Sequence, residues 1–332
     1  MQDKTFFKSE ADFVTWIRRR TPRSKPGLSL GIGDDAALVT VPRGQELILT
    51  ADMSIEDVHF KADLHPPQAV GHRALARSLS DIAAMGGIPR FALVSLALSR
   101  NSEQIWLKGV YSGLLALAKK FGVAIIGGDT AVTSEPTMID VIMTGEVPRG
   151  RGLRRSGAKE GDQIFVSGRL GLSALGLRLL QSGSAIQKTA EKLAVRAHLY
   201  PQPQCALGQF LSHNRLASAM MDLSDGLSID LRRLCVASDV GAKLFAKEIP
   251  VPTLLNQGDA LALALHGGED YQLLFTVPPG KAVKVPSHFG EVALHGIGEI
   301  SRKKAINLIT SEGKALPIEP QGWDHFARAA RR

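Results

Sequence analysis

The sequence has 332 residues, 44% hydrophobic and 22% charged, enough to bury more than one core and to make two domains the default expectation. A formal charge of +8 permits attraction to nucleotides, phosphates or nucleic acid without choosing among them. With aromatics at only 5% and none interleaved in the basic clusters at 18–20, 149–155 and 331–332, a nucleic-acid platform is disfavoured.

The first segment, MQDKTFFKSEADF, mixes charge where a signal peptide would place a basic head and an apolar run, so no export signal is expected. Strands are predicted at 46–50, 90–98, 123–126, 138–146, 163–167, 243–245, 271–277 and 292–297, and helices at 67–85, 102–121, 172–181 and 227–238. In the second helix Ile105, Val110, Leu114, Leu117 and Phe121 recur at helical spacing, Ser102 offers an N-cap and Gly122 a stop. The longest apolar stretch, 91–98, is too short to span a bilayer and contains Ser95, so no transmembrane segment is expected. Short strands alternating with longer helices predict an α/β or α+β architecture. The segment PRGRGLRRSGAKEG at 148–161 is rich in Gly and Arg and lacks apolar periodicity. It sets the expected boundary between an N-terminal domain, 1–148, and a C-terminal domain, 149–332. Two cysteines, Cys205 and Cys235, are too few for a disulfide framework and lack zinc-site spacing, which fits a reducing, cytoplasmic setting.

Aspartates recur beside small residues near the predicted strand ends. GIGDDAAL places Asp34 and Asp35 after two glycines, a pattern that alone reads as a turn. In LILTADMS the strand is expected to end at Thr50, with Asp52 just beyond it as either a crevice carboxylate or a solvated loop residue. In RSLSDIAAMGG, Asp81 falls at the border of the helical stripe formed by Leu75, Leu79 and Ile82. VAIIGGDTA is an apolar strand followed by Gly127, Gly128 and Asp129, where glycines allow close backbone approach to a nucleotide or simply a tight turn. MMDLSDGL puts Asp222, Ser224 and Asp225 at a strand-to-helix junction, where Ser224 or Asp225 is equally suited to cap the helix. HGGEDYQLLF sets Glu269 and Asp270 before a strand; a hairpin turn is the competing account.

Six acidic segments with small neighbours, spread over both halves, favour one shared site. Such a donor set suits Mg2+, which takes oxygen ligands and keeps waters or phosphate oxygens in its shell. Neither a G-x-x-x-x-G-K-[ST] phosphate loop nor an H-R-D catalytic loop occurs. Charge neutralisation in a phosphoryl transfer would then fall to several Mg2+ ions, with Arg155 as a candidate contact to ATP phosphates or else an ordinary surface arginine.

In order, GIGDDAA, the strand ending TAD, DVHF, SLSDIAAMGG, GGDT, RSGAKEGD, DLSDGLSIDL, GGEDYQLLF and GWDHF resemble the thiamine-monophosphate kinase family of the aminoimidazole-ribonucleotide-synthetase-like superfamily. The resemblance implies a two-domain α/β (α+β) fold, in a homodimer whose N-terminal domains contribute strands to an intersubunit β-barrel. It implies an ATP site between the domains and direct in-line transfer from ATP to thiamine monophosphate, giving thiamine diphosphate. It assigns Mg2+ to Asp35, Thr50, Asp52, Asp81, Asp129, Asp222 and Asp225, with Asp35, Asp52, Asp129 and Asp222 at the catalytic centre. Nucleotide contacts fall on Tyr111, Gly128, Asp129, Arg155 and Ser224, and acceptor contacts on His59, Glu269 and Trp323. Trp323 suits a cationic thiazolium and Glu269 an aminopyrimidine. Ala51 departs from the family, which often has a hydroxyl residue there, so only its backbone carbonyl could serve a metal.

Rival readings are aminoimidazole ribonucleotide synthetase, selenophosphate synthetase, the hydrogenase-maturation carbamoyl dehydratase, and a noncatalytic basic nucleotide- or RNA-binding protein. The GGEDYQLLF and GWDHF motifs weigh against the first. The absence of an early cysteine weighs against the second, and the AARR ending against the third. Against the binder stands the full aspartate set, since a protein that grips polyanions gains nothing from carboxylates without metals. No membrane partner is expected.

Overall fold

The computed structural model describes residues 7, 9–22 and 24–321. The chain divides into two compact units, Met1–Ile82 with Gly87–Gly152, and Ala83–Gly86 with Leu153–Arg332. In chain order the first unit carries α1 (Glu10–Arg18), β1 (Leu28–Leu30), β2 (Leu38–Val39), β3 (Gln45–Ile55), α2 (Pro67–Ala84), β4 (Ile88–Ser99), α3 (Gln104–Phe121), β5 (Ala124–Thr133) and β6 (Met138–Pro148). The second carries β7 (Gln163–Ser167), α4 (Leu172–Gln181), α5 (Thr189–Leu199), α6 (Cys205–His213), β8 (Ala219–Leu223), α7 (Leu227–Ser238), β9 (Gly241–Phe245), α8 (Gln257–His266), β10 (Gln272–Val277), α9 (Pro279–Ala282), β11 (His288–Phe289), β12 (Val292–Ser301), β13 (Ile306–Ile309) and β14 (Ala315–Pro317).

The first unit is built on a four-stranded sheet in the order β3-β6-β4-β5, with β1 and β2 forming a separate pair. β6 runs antiparallel to β3 and to β4, whereas β5 is parallel to β4. Alternation sorts the strands into two faces. Ser54, Val94, Leu96, Ile139, Val141 and Met143 are buried on one. On the other, β3 presents Leu49 and Met53, which are 65% and 48% exposed.

Pairing also lengthens two strands beyond their expected ends. β3 continues past Thr50 to Ile55 because β6 pairs with it throughout, so Asp52 lies inside a strand and not after one. β5 continues past Ile126 to Thr133 along β4, so Gly127, Gly128 and Asp129 are strand residues too. Both extensions are tertiary overrides of turn-like composition. α3 stops as expected at Gly122, whose φ of 65° is the left-handed cap that favours glycine. Its N-cap is Glu103, without a side-chain bond. Ser102 does not cap, because its hydroxyl shares a 3.3 Å hydrogen bond with Thr137 just ahead of β6.

The second unit holds an eight-stranded mixed sheet, β14-β13-β9-β12-β7-β10-β8, with β11 paired to β12. β13 and β9 are its parallel pair. Along α7, Leu227, Leu231 and Leu234 recur at helical spacing, and all three are buried in one core with Ile164, Val166, Met221, Leu223 and Leu274. Among the described residues, no helix is long and apolar enough to cross a membrane.

Candidate active site

In the first unit, β3 and α2 bring three of the expected metal ligands together. Thr50 and Asp52, two apart on β3, face the same way and meet α2. The Thr50 hydroxyl donates to Asp81 Oδ2. Asp52 Oδ2 accepts from Ser78 Oγ at 3.0 Å, and Asp52 Oδ1 lies 3.8 Å from Arg77 Nε. Ala51, between them, turns its methyl to the opposite face. A third carboxylate, without a signal in the sequence, lies on the other face of the sheet: Asp140 on β6 stands opposite Met53. Burial and the Asp52 charge hold it above the usual carboxylate range.

Asp35 and Asp129 are not gathered into that group. Asp35 lies in the exposed segment between β1 and β2, where its amide donates to Asp34 Oδ1 at 2.9 Å. Asp129 is exposed, accepts from the Thr130 amide at 2.8 Å, and pairs with Ser95, which in turn pairs with Asp140. That cross-strand row lies on the sheet face opposite Asp52. Gly128 precedes it with φ +147°, and a Cβ there would sit 1.9 Å from the Val94 carbonyl oxygen. Gly128→Ala is therefore expected to lose roughly 3 kcal/mol or more of stability through disrupted β4–β5 pairing. A denaturant midpoint equal to that of the parent would contradict this geometry.

His59 sits in the turn after β3, where its Nδ1 accepts from the Ile55 amide at 3.0 Å. In the neutral ring this places the proton on Nε2. Tyr111, an expected nucleotide contact, is only 3% exposed. Phe13 and Trp16 of α1 pack edge-on against it, with centroids at 5.3 and 6.1 Å, and burial pushes its phenol pKa well up.

In the second unit Asp222, one residue before the end of β8, is almost fully buried and paired in register with Leu273. The following loop is tied by Asp230, a residue within DLSDGLSIDL whose role the sequence did not disclose. One oxygen, Oδ2, accepts from the amides of Ser224, Asp225 and Gly226 at 3.1, 3.0 and 3.1 Å. Arg233 bridges Asp230 Oδ1 at 2.7 Å and Asp225 Oδ2 at 2.5 Å. Burial outweighs the hydrogen bonds and pushes the Asp230 pKa up to about 6. Neither Ser224 nor Asp225 supplies a side-chain cap to α7, whose N-cap is Gly226. Arg155 is exposed, and its carbonyl accepts from Ser238 Oγ at 3.0 Å.

Glu269 and Asp270 leave β10 at its N-terminal end. Glu269 has φ +66° and Tyr271 φ +49°, both left-handed and unusual for residues with a Cβ. Two strap-like bonds hold this turn, from the Glu269 amide to the Ser224 carbonyl at 2.7 Å and from the Tyr271 amide to the Leu223 carbonyl at 2.9 Å. Trp323 lies outside the described residues. The chain leading to it is anchored at Gln321, whose carbonyl accepts from Ser228 Oγ at 2.6 Å, with His266 Nδ1 2.9 Å from the same hydroxyl.

The N-terminal domain model of AIR synthase related proteins matches residues 33–147, and the C-terminal domain model matches residues 159–311. Fold and motifs thus define a two-domain AIR synthase-like α/β protein with mixed sheets. Thiamine-monophosphate kinase of Bacillus subtilis is 35% identical over 324 residues, covering 96% of this chain and 99% of the relative. The crystal structure of thiamine-monophosphate kinase from Stenotrophomonas maltophilia superposes with a TM-score of 0.80 at 35% identity, covering 91% of this chain and 96% of that one. AaThiL complexed with AMPPCP and TMP does so with a TM-score of 0.75 at 31% identity, covering 98% and 100%. The chain belongs to the thiamine-monophosphate kinase family.

Proposed function

We propose that this protein is an ATP-dependent kinase of thiamine biosynthesis, moving the terminal phosphoryl group of ATP onto thiamine monophosphate to give thiamine diphosphate and ADP. The observation that carries this is likeness over nearly the whole chain to kinases of that name, together with the AMPPCP and TMP bound by a relative at 31% identity. AMPPCP replaces the bridging oxygen of ATP with carbon, so that pair represents both substrates before transfer. Incubating the protein with ATP, Mg2+ and thiamine monophosphate, with free thiamine as a separate acceptor, tests the reading: thiamine diphosphate should form from the monophosphate, and its absence would refute the activity.

Direct in-line transfer demands little covalent chemistry of the protein and much charge neutralisation and alignment. Mg2+ is assigned to Asp35, Thr50, Asp52, Asp81 and Asp129 and the carbonyl of Ala51 in the first unit, and to Asp222 and Asp225 in the second. The donors are all oxygen, as a hard cation requires. Among the described residues no three His, Cys, Asp or Glu side chains are gathered for a metal. Mg2+ is usually held by one or two carboxylates and completed by water and phosphate oxygens, so the assigned donors would divide among several ions. When bound, Mg2+ neutralises the phosphates and orients the transferring group. Arg155, Tyr111, Gly128 and Ser224 are assigned to the nucleotide, and His59, Glu269 and Trp323 to the acceptor.

The first unit is read as the ATP- and Mg2+-binding domain that also dimerises, and the second as the domain completing the active site. The exposed Leu49 and Met53 of β3 support a homodimer with an intersubunit barrel, since burying these side chains against a copy removes exposed hydrocarbon from water. A cytoplasmic setting accords with two buried free thiols, Cys205 and Cys235, whose pKa values burial pushes up to about 12. Trp323→Ala is expected to raise KM for thiamine monophosphate more than KM for ATP; an equal rise in both would remove Trp323 from the acceptor subsite.

A further inference from the structure

Behind Glu269 stands a buried histidine that none of the family motifs contains. His198 is carried by α5 and is 1% exposed. α5 packs closely on α4 at Gly176, where a Cβ would lie 2.1 Å from the Ala194 carbonyl oxygen and 3.0 Å from His198 Cβ. That close approach is what sets the imidazole beside the first turn of α4. There Ser173, also 1% exposed, shares a 3.0 Å hydrogen bond with His198 Nδ1. The same ring nitrogen lies 3.8 Å from Glu269 Oε2.

The start of α4 is itself fixed from the Glu269 turn. Asp270 accepts from the Gly171 amide at 2.5 Å and the Ser173 amide at 3.0 Å. These bonds stand in for a helix cap, since the N-cap Gly171 has no side chain to offer. Burial, opposed by these bonds and aided by the Glu269 charge, pushes the Asp270 pKa up to about 7. Asp270 therefore serves the helix while its neighbour Glu269, one quarter exposed, keeps a carboxylate turned toward solvent. The left-handed backbone at Glu269 is an observed strain of the kind that persists where the surroundings over-determine a functional residue. A glutamate has three side-chain torsions, and freezing them on binding would cost up to about 2 kcal/mol of conformational entropy. A buried partner that already orients the carboxylate removes part of that penalty.

We propose that His198, oriented by Ser173, is a positioning residue for the acceptor, holding the Glu269 carboxylate in the direction from which it receives the aminopyrimidine of thiamine monophosphate. This rests on the reading of Glu269 as an acceptor contact. Orientation of one binding group changes ground-state and transition-state binding alike, so it appears in KM for the acceptor and leaves kcat little changed.

The test compares His198→Ala, His198→Asn, Ser173→Ala, Glu269→Ala and the double variant His198→Ala with Glu269→Ala, measuring KM for each substrate, kcat and the melting temperature. His198→Ala should raise acceptor KM about tenfold with ATP KM changed less than about twofold. His198→Asn, whose amide nitrogen can stand in for Nδ1, should restore most of the loss, and Ser173→Ala should shift acceptor KM in the same direction. In the double variant acceptor KM should match Glu269→Ala alone within about twofold, because the effect runs through one carboxylate. If Glu269→Ala raises acceptor KM while His198→Ala and Ser173→Ala do not, or if the two effects multiply, the positioning role is wrong and the Glu269 reading survives. If Glu269→Ala itself leaves acceptor KM unchanged, both fall. Should His198→Ala melt too low to assay, His198→Asn and Ser173→Ala decide the matter, with equal rises in the two KM values counting against the proposal.

Discussion

Asp52→Ala is expected to lower product formation by about a thousandfold or more, because a carboxylate that holds a metal against polyphosphate has no substitute in a methyl group. The fold should survive. Asp52 is partly exposed, its contact with Arg77 is a loose 3.8 Å pair, and its charge already opposes ionisation of Asp140. Losing it relieves that repulsion while leaving Ser78 its second bond, to the Val141 carbonyl at 3.1 Å. Steady-state turnover and a thermal melt on the same preparation separate the two effects. Near-normal turnover would remove Asp52 from the catalytic centre, and a collapse of the melting temperature would make its role structural.

Asp230→Ala should act in the opposite way, through stability first. The carboxylate is fully buried and serves three consecutive amides and Arg233. Its removal leaves those amides without their acceptor and strips Arg233 of one partner. A loss of about 3–5 kcal/mol is expected, the range found when one partner of a buried ionic group is deleted. Asp230→Asn keeps an oxygen for the amides and should retain a substantial part of the stability. Equal denaturation midpoints for the alanine variant and the parent would show that the Ser224–Gly226 loop is held by other contacts.

The sequence made some elements plain and hid others for identifiable reasons. α4 and α7 appear at the residues expected, since each repeats leucines at helical spacing and is bounded by glycine or a polar residue. The outer halves of β3 and β5 were hidden because Ala51, Asp52, Gly127 and Gly128 are poor strand formers, and only pairing with β6 and β4 shows that they continue as strand. α1, α5, α6 and α8 went unforeseen, as did the short strands β13 and β14 that complete the second sheet. Thr50, Asp52 and Asp81 could be named from motifs, and β3 and α2 place Thr50 against Asp81 and Asp52 against Ser78 on the same helix. The groups that orient the site were harder to see. Asp270 reaches α4 across 97 and 99 residues of sequence, and His198 meets Ser173 across 25, separations at which local pattern carries no signal. Asp140 was missed because a single acid in an apolar strand reads as an ordinary half-exposed position.

The most direct measurement follows the label from ATP carrying 32P in its γ-phosphate, incubated with the protein and thiamine monophosphate, with Mg2+ present or removed by chelator. The account predicts label in thiamine diphosphate in one-to-one ratio with ADP, abolished by the chelator and restored by added Mg2+. Label appearing only in inorganic phosphate, or transfer that continues undiminished without divalent cation, would contradict it.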